Sequence, residues 1–198
     1  MVAEDYASIE TLRLMLKATG SDPRDELLQR ALTSASRSID KTCGRRFWLD
    51  PEPVTRTYRT AGRTVPEADG DVLLVDDIGD IDDLVVETGS GTSWSPLAPG
   101  LVETIPENAL LDRRPVTGLL LVGRSWTSRS ARVTTRFGWP DIPDDIVQAT
   151  LIQANRLQRR KDSPEGVTGS AEWGVVRLSR RDPDVWNLIE QYVLPGFG

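Results

Sequence analysis

The chain has 198 residues, 38% of them hydrophobic and 27% charged, with six tryptophans, which is the make-up of a soluble globular protein with a buried core. Its single cysteine, Cys43, excludes an internal disulfide and a cysteine-built zinc site, and the absence of histidine excludes Ser-His-Asp and Cys-His catalysis along with the commonest metal ligand. The formal net charge of −6 argues against a surface that grips nucleic acid throughout.

That charge is unevenly placed. Residues 1 to 50 carry eight acids and eight bases, residues 51 to 141 fourteen and nine, and residues 142 to 198 eight and seven, so the middle of the chain is its acidic part. No run approaches the roughly 18 apolar residues of a membrane span. The opening MVAEDYASIE lacks the basic and apolar regions of a secretion signal, so the expectation is a protein made in the cytosol of its host, with no membrane partner.

In chain order, Ser8 is a plausible N-cap for a short helix with Ile9, Leu12, Met15 and Leu16 at helical spacing, which Gly20 is expected to end. Asp22-Pro23 then starts a second helix of about twenty residues, roughly 30 Å long. Its apolar stripe runs through Leu27, Leu28, Ala31, Leu32, Ala35 and Ile39 as far as Gly44. The small residues Ala31, Ser34, Ala35 and Ser38 predict that another helix approaches this one closely. Arg45, Arg46, Phe47 and Trp48 follow; the aromatics suit a plug at the end of a helix pair, and stacking on bases is the alternative.

From Val54 to Gly138 the apolar period changes from 3.6 towards 2. Val54–Thr60 and Ala131–Phe137 alternate, Val72–Val75, Ile81–Glu87 and Gly118–Val122 are short apolar runs, and turn residues separate them. The prediction is an antiparallel module of about five to seven strands. The acidic stretch Asp76 to Asp83 does not fit the spacing of an EF-hand loop and is expected to be a turn between two strands. Gly89-Ser90-Gly91-Thr92 lacks the lysine of a phosphate loop and suits a hairpin.

Phe137-Gly138-Trp139-Pro140 closes that module, and Pro143 opens a third helix with Asp144 and Asp145 in its first turn and Arg156, Arg159, Arg160 and Lys161 in its last, as the helix dipole favours. Ile146, Val147, Thr150, Leu151, Ala154 and Leu157 form its apolar arc, which is the expected partner of the Ala31–Ala35 stripe. The basic end suits a solvated cap, a phosphate patch being the alternative. Residues 163 to 181 are expected to be a flexible arm, in which Trp173, Val175 and Val176 lack an obvious core to join. Asp182-Pro183 starts a last helix, lined by Val185, Trp186, Leu188, Ile189 and Tyr192 and stopped by Pro195.

The expected fold class is therefore α+β: an antiparallel helical core with an antiparallel β module inserted between the second and third long helices. The segments are 1 to 50 (N-terminal helical part), 51 to 138 (β module), 139 to 162 (third core helix), 163 to 181 (arm) and 182 to 198 (C-terminal helix and tail).

Several of these residues, taken in order, resemble a known family. Tyr6 before a short helix, Ala35-Ser36-Arg37-Ser38-Ile39-Asp40 leading into Cys43-Gly44-Arg45-Arg46-Phe47, and Phe137-Gly138-Trp139-Pro140 before Ile142-Pro143 are similar to the head-to-tail connector proteins (adaptors, or head-completion proteins) of tailed bacteriophages. The resemblance implies a structural virion protein of the neck, without enzyme activity or cofactor. It implies a ring of about twelve copies beneath the portal. The partners would be copies of itself, the portal protein, the next head-completion or tail-terminator protein, and genomic DNA that passes without tight binding. On this reading Trp173, Val175 and Val176 contribute to the interface between copies, and Trp186, Tyr192 and Phe197 to docking on the portal, the alternative for this last segment being that it folds back onto the chain's own helices. Two other classes stand beside it. One is a monomeric binding module, and the other a metal-dependent nuclease using Asp76, Asp77 and Asp80.

Overall fold

The computed structural model describes residues 4–17, 25–162, 167–168, 176–177 and 182–195. It is an α+β chain in two compact units, one made of Met1–Phe47 with Ile142–Gly198 and the other of Trp48–Asp141. The first holds the helices and the second a seven-stranded antiparallel sheet system.

In the helical unit, α1 (Ile9–Leu16) begins at Ser8, whose hydroxyl accepts from the Thr11 N–H. It ends at Lys17 in the left-handed region (φ 53°), before the expected stop at Gly20, which lies outside the described residues. α2 (Asp25–Cys43) is followed by Gly44 at φ 68°, the left-handed residue that ends a helix with least steric cost. α3 (Asp144–Asp162) carries Asp144 and Asp145 in its first turn. These three helices share one core. Leu12, Leu28, Ala31, Leu32, Ala35, Leu151 and Ala154 are buried together, with Val147 and Leu157 packed against them. Ala31, Ala35 and Ala154 thus lie in the seam between α2 and α3. Ser34 and Ser38, by contrast, are exposed, and the buried small polar residue of α2 is Ser36. The physical reason is that Ser36 has partners there. Its hydroxyl donates to the Leu32 carbonyl at 2.9 Å and accepts from the Tyr6 N–H at 3.1 Å.

The β unit comprises β1 (Val54–Arg59), β2 (Thr64–Glu67), β3 (Gly70–Ser90), β4 (Ser93–Pro96), β5 (Val102–Ile105), β6 (Val116–Val122) and β7 (Ser130–Phe137). Its organising element is β3, a strand of 21 residues. The first part of β3 pairs with β2 and β6, and the last part with β4 and β7. The register slips between Leu74 and Ile78, between Ile78 and Asp80, and between Asp80 and Val85. Extra residues in one strand of a pair bend it and raise its twist, which is how one long strand serves two sets of neighbours within a single sheet. Both halves of the sheet contribute to one core that includes Tyr58, Leu73, Ile78, Val116, Leu119, Val133 and Phe137. β7 shows the pattern plainly, with Ala131, Val133, Thr135 and Phe137 buried and the residues between them half-buried.

The acidic stretch is accordingly strand and not the expected turn. It coincides with the bulged middle of β3, and two of its carboxylates find bases on neighbouring strands. Arg56 of β1 reaches Asp76 at 2.7 Å and Arg136 of β7 reaches Asp80 at 2.8 Å. Two glycines are required by close approach. A Cβ on Gly79 would lie 2.7 Å from the Leu49 side chain and from the Trp139 backbone. One on Gly138, at φ 121°, would run into the Trp48 carbonyl. The incoming chain at Trp48–Asp50 and the outgoing chain at Phe137–Gly138 therefore lie side by side, joined by the Asp50 N–H donating to the Phe137 carbonyl at 2.8 Å.

β8 (Val167–Thr168) and β9 (Val176–Arg177) form a separate two-stranded ladder, and α4 (Pro183–Ile189) follows Asp182, whose carboxylate caps it by accepting from the Asp184 and Val185 N–H groups. Among the described residues no helix is long and apolar enough to cross a membrane.

Candidate interaction surfaces

The residues singled out as a nuclease centre do not converge. Asp76 takes Arg56 and also accepts from the Tyr58 hydroxyl at 3.2 Å, with Arg63 at 4.0 Å. Asp77 accepts from the Trp139 indole N–H at 3.1 Å, and Asp80 is held by Arg136, which also donates to the Asp50 carbonyl at 2.8 Å. Among the described residues no three acidic, cysteine or histidine side chains come together as a metal site. Two of the three candidate carboxylates thus neutralise arginines across the sheet and the third anchors an indole. Burial pushes the Tyr58 hydroxyl pKa upward, and the Asp76 charge adds to the shift.

A second polar constellation lies in the helical unit, around Tyr6. Its hydroxyl donates to Asp40 and accepts from the Phe47 N–H at 2.9 Å, while its ring meets the Phe47 ring edge-on at 5.8 Å. Arg37 stands 5.4 Å from the centre of the Tyr6 ring and 3.4 Å from Asp40. Burial, then the bond to Asp40, holds the phenol well above its ordinary range. Burial also raises the Asp40 carboxyl, against the Tyr6 bond and the Arg37 and Arg46 charges that pull it down. This arrangement clamps the segment before α1 to the end of α2. Phe47 plugs the helical unit as expected, whereas Trp48 belongs to the β unit.

The C-terminal segment packs on its own helical unit. Val185 and Ile189 of α4 are buried, and the Leu194 N–H donates to the Cys43 carbonyl at 2.8 Å. Tyr192 sets its ring edge-on against Phe47 at 5.5 Å and donates to Asp145 at 3.2 Å, which also accepts from Gln191 at 3.0 Å. Asp182 pairs with Arg156 of α3 at 3.3 Å. Arg156 is therefore not part of a solvated basic cap, because the carboxylate that caps α4 draws it in. Trp186 is half-buried beside a shallow pocket of about 160 Å³ lined also by Ile39, Thr42, Gln153 and Arg156. Of the other residues assigned to interfaces, Val176 lies in β9 opposite Thr168, and Trp173, Val175 and Phe197 fall outside the described residues.

The β unit carries an open groove that the sequence did not announce. About 820 Å³ in volume, it lies between the 81–86 part of β3, the 97–99 turn and β5. Ile81, Leu84, Leu97 and Val102 are half-buried along it and Val85 is 48% exposed. Its acidic members are Asp82, Glu103 and Glu107, and no basic side chain lines it.

No protein-family model and no curated protein sequence matches the chain. Solved structures do. One match, with 16% identity and a TM-score of 0.54 over 100% of this chain and 95% of the other, is a chain in the virion of a native gene transfer agent particle. Another, at 16% identity and a TM-score of 0.51 over 100% and 98%, is a chain in the neck of an empty particle of that kind, computed with C6 symmetry. The likeness is one of fold. It extends over the helical unit and the inserted β unit alike, since neither chain leaves more than a small remainder unmatched.

Proposed function

We propose that this chain is a structural subunit of a phage-like neck, a head-to-tail adaptor that forms a ring beneath the portal and joins the DNA-filled head to the tail. The observation that carries the reading is the end-to-end likeness of fold to chains from gene transfer agent particles, one of them from a neck. The sequence resemblance at residues 6 to 47 and 131 to 162 supports it independently. Its partners are further copies of itself, about twelve in a closed ring with head-to-tail contacts, the portal protein, and the next completion or terminator protein on the tail side. The arm with Trp173, Val175 and Val176 serves the contact between copies, and the half-buried Trp186, together with Phe197, serves the portal, Tyr192 being engaged by Phe47 and Asp145 of its own chain. Genomic DNA passes through without tight binding. Each phosphate a wall neutralises adds affinity and slows passage, so an acidic chain suits a conduit better than a basic one.

Removing the gene from a producing strain tests the proposal. The expected result is heads that fill with DNA but carry no tails, restored by the wild-type gene supplied in trans. Tailed particles in normal number without the protein would refute it.

A further inference from the structure

The groove of the β unit has the two properties of a docking site for a chain segment. Its floor is apolar, with Val85 48% exposed. Along one side runs β5, which stands at the end of its sheet and pairs with β6 alone among the described strands, so its other edge offers backbone donors and acceptors. Unlike Asp76 and Asp80, which sit on arginines, Asp82, Glu103 and Glu107 meet no basic side chain among the lining residues. An occupant must therefore be apolar, able to pair as a strand, and basic.

One stretch of the chain has that composition. Residues 173 to 181, WGVVRLSRR, place Trp173, Val175 and Val176 next to Arg177, Arg180 and Arg181, with no acid among them. Val176 and Arg177 already form a strand, β9, whose pairing among the described strands is with β8 alone. On the ring reading above, we infer that the groove receives the 173–181 segment of the adjacent copy, added as a strand along β5 with its arginines against Asp82, Glu103 and Glu107. Strand addition supplies affinity through main-chain hydrogen bonds, and the side-chain pockets supply register. The contact joins two different surfaces, as a closed ring requires.

A cysteine pair tests this. The double variant Val85→Cys, Val176→Cys is purified, oxidised under mild conditions and run on a denaturing gel, with its native mass measured in parallel. Val85 is exposed, so the change should be tolerated, and the native Cys43 thiol is buried and pushed up to about 11 by that burial, which keeps it from competing. The expected result is a ladder of covalent multimers. Reversing the groove with Glu103→Lys and Glu107→Lys should cut the ladder by about tenfold, and adding Arg177→Glu with Arg181→Glu should restore it. A fast-running single chain would mean that each arm fills its own groove, and would overturn the inference. Rings of native mass without a ladder would overturn it while leaving the adaptor reading intact. A one-chain mass without a ladder would overturn both.

Discussion

Replacing Tyr6 by phenylalanine tests the clamp of the helical unit. The ring stays, so its packing on Phe47 and Arg37 is kept, and only the hydroxyl is lost. Two hydrogen bonds go with it. The Phe47 N–H loses its acceptor at 2.9 Å in a residue with no exposed surface, and orphaning a buried donor costs about 1–3 kcal/mol. The bond to Asp40 has a charged partner, but Asp40 keeps Arg37 at 3.4 Å and its side chain is 20% exposed, so this loss belongs at the lower end, about 1 kcal/mol. The sum is a destabilisation of about 2–4 kcal/mol. It would be read from urea unfolding of the helices by far-ultraviolet circular dichroism. A double-mutant cycle with Asp40→Asn should return a coupling of about 1–2 kcal/mol, because the two groups share one bond. A loss below about 0.5 kcal/mol for Tyr6→Phe would show that the hydroxyl faces water and that the clamp is wrong.

Four further outcomes are expected of the same structure. Ala35→Leu puts a larger side chain into the fully buried seam between α2 and α3, and urea unfolding should show a loss of about 1–3 kcal/mol, whereas Ser34→Leu, on the exposed face, should be close to neutral. Gly138→Ala forces a side chain at φ 121° into the Trp48 carbonyl, so the β unit should unfold at markedly lower denaturant, read by the near-ultraviolet signal of its tryptophans. Burial raises the pKa of Tyr6 and of Tyr58 above 10.0. The unfolded chain then ionises first, so their contributions are complete below pH 10 and are lost as pH rises beyond it, and absorbance titration should find both phenols un-ionised in the native protein at that pH. The raised Asp40 carboxyl has the same sign: its contribution is complete below 3.8 and falls as pH climbs through the folded value, a slope that Asp40→Asn should abolish.

Much of this architecture was legible before the structure. The change of apolar period at Val54, the helix starts at Pro143 and Pro183 and the alanines of α2 and α3 pointed to a helical core interrupted by a β module, and each rests on local sequence periodicity or capping, while the Asp22-Pro23 start lies outside the described residues. What escaped rests on partners distant in the chain. Asp76 to Asp83 is rich in turn formers and was expected to turn. It runs on as strand because Arg56 and Arg136, twenty and fifty-six residues from Asp76 and Asp80, neutralise those two carboxylates and the bulges take up the extra length. β2 and β4, at four residues each, are too short to show a period, and Pro66 within β2 argues against a strand unless that strand is an edge. Arg156 belonged by position to a basic helix end, and only the fold brings Asp182 to it. The groove is least legible of all, since β3, the 97–99 turn and β5 each supply a part and no one of them has a pattern of its own.

The central claim is that copies of this chain close into a ring in the neck of a phage-like particle. Electron microscopy of purified particles, with the same particles lacking the protein as reference, measures this directly. The account predicts a closed ring of about twelve copies between portal and tail, present in the first sample and missing from the second. A neck density unchanged by loss of the protein would contradict it.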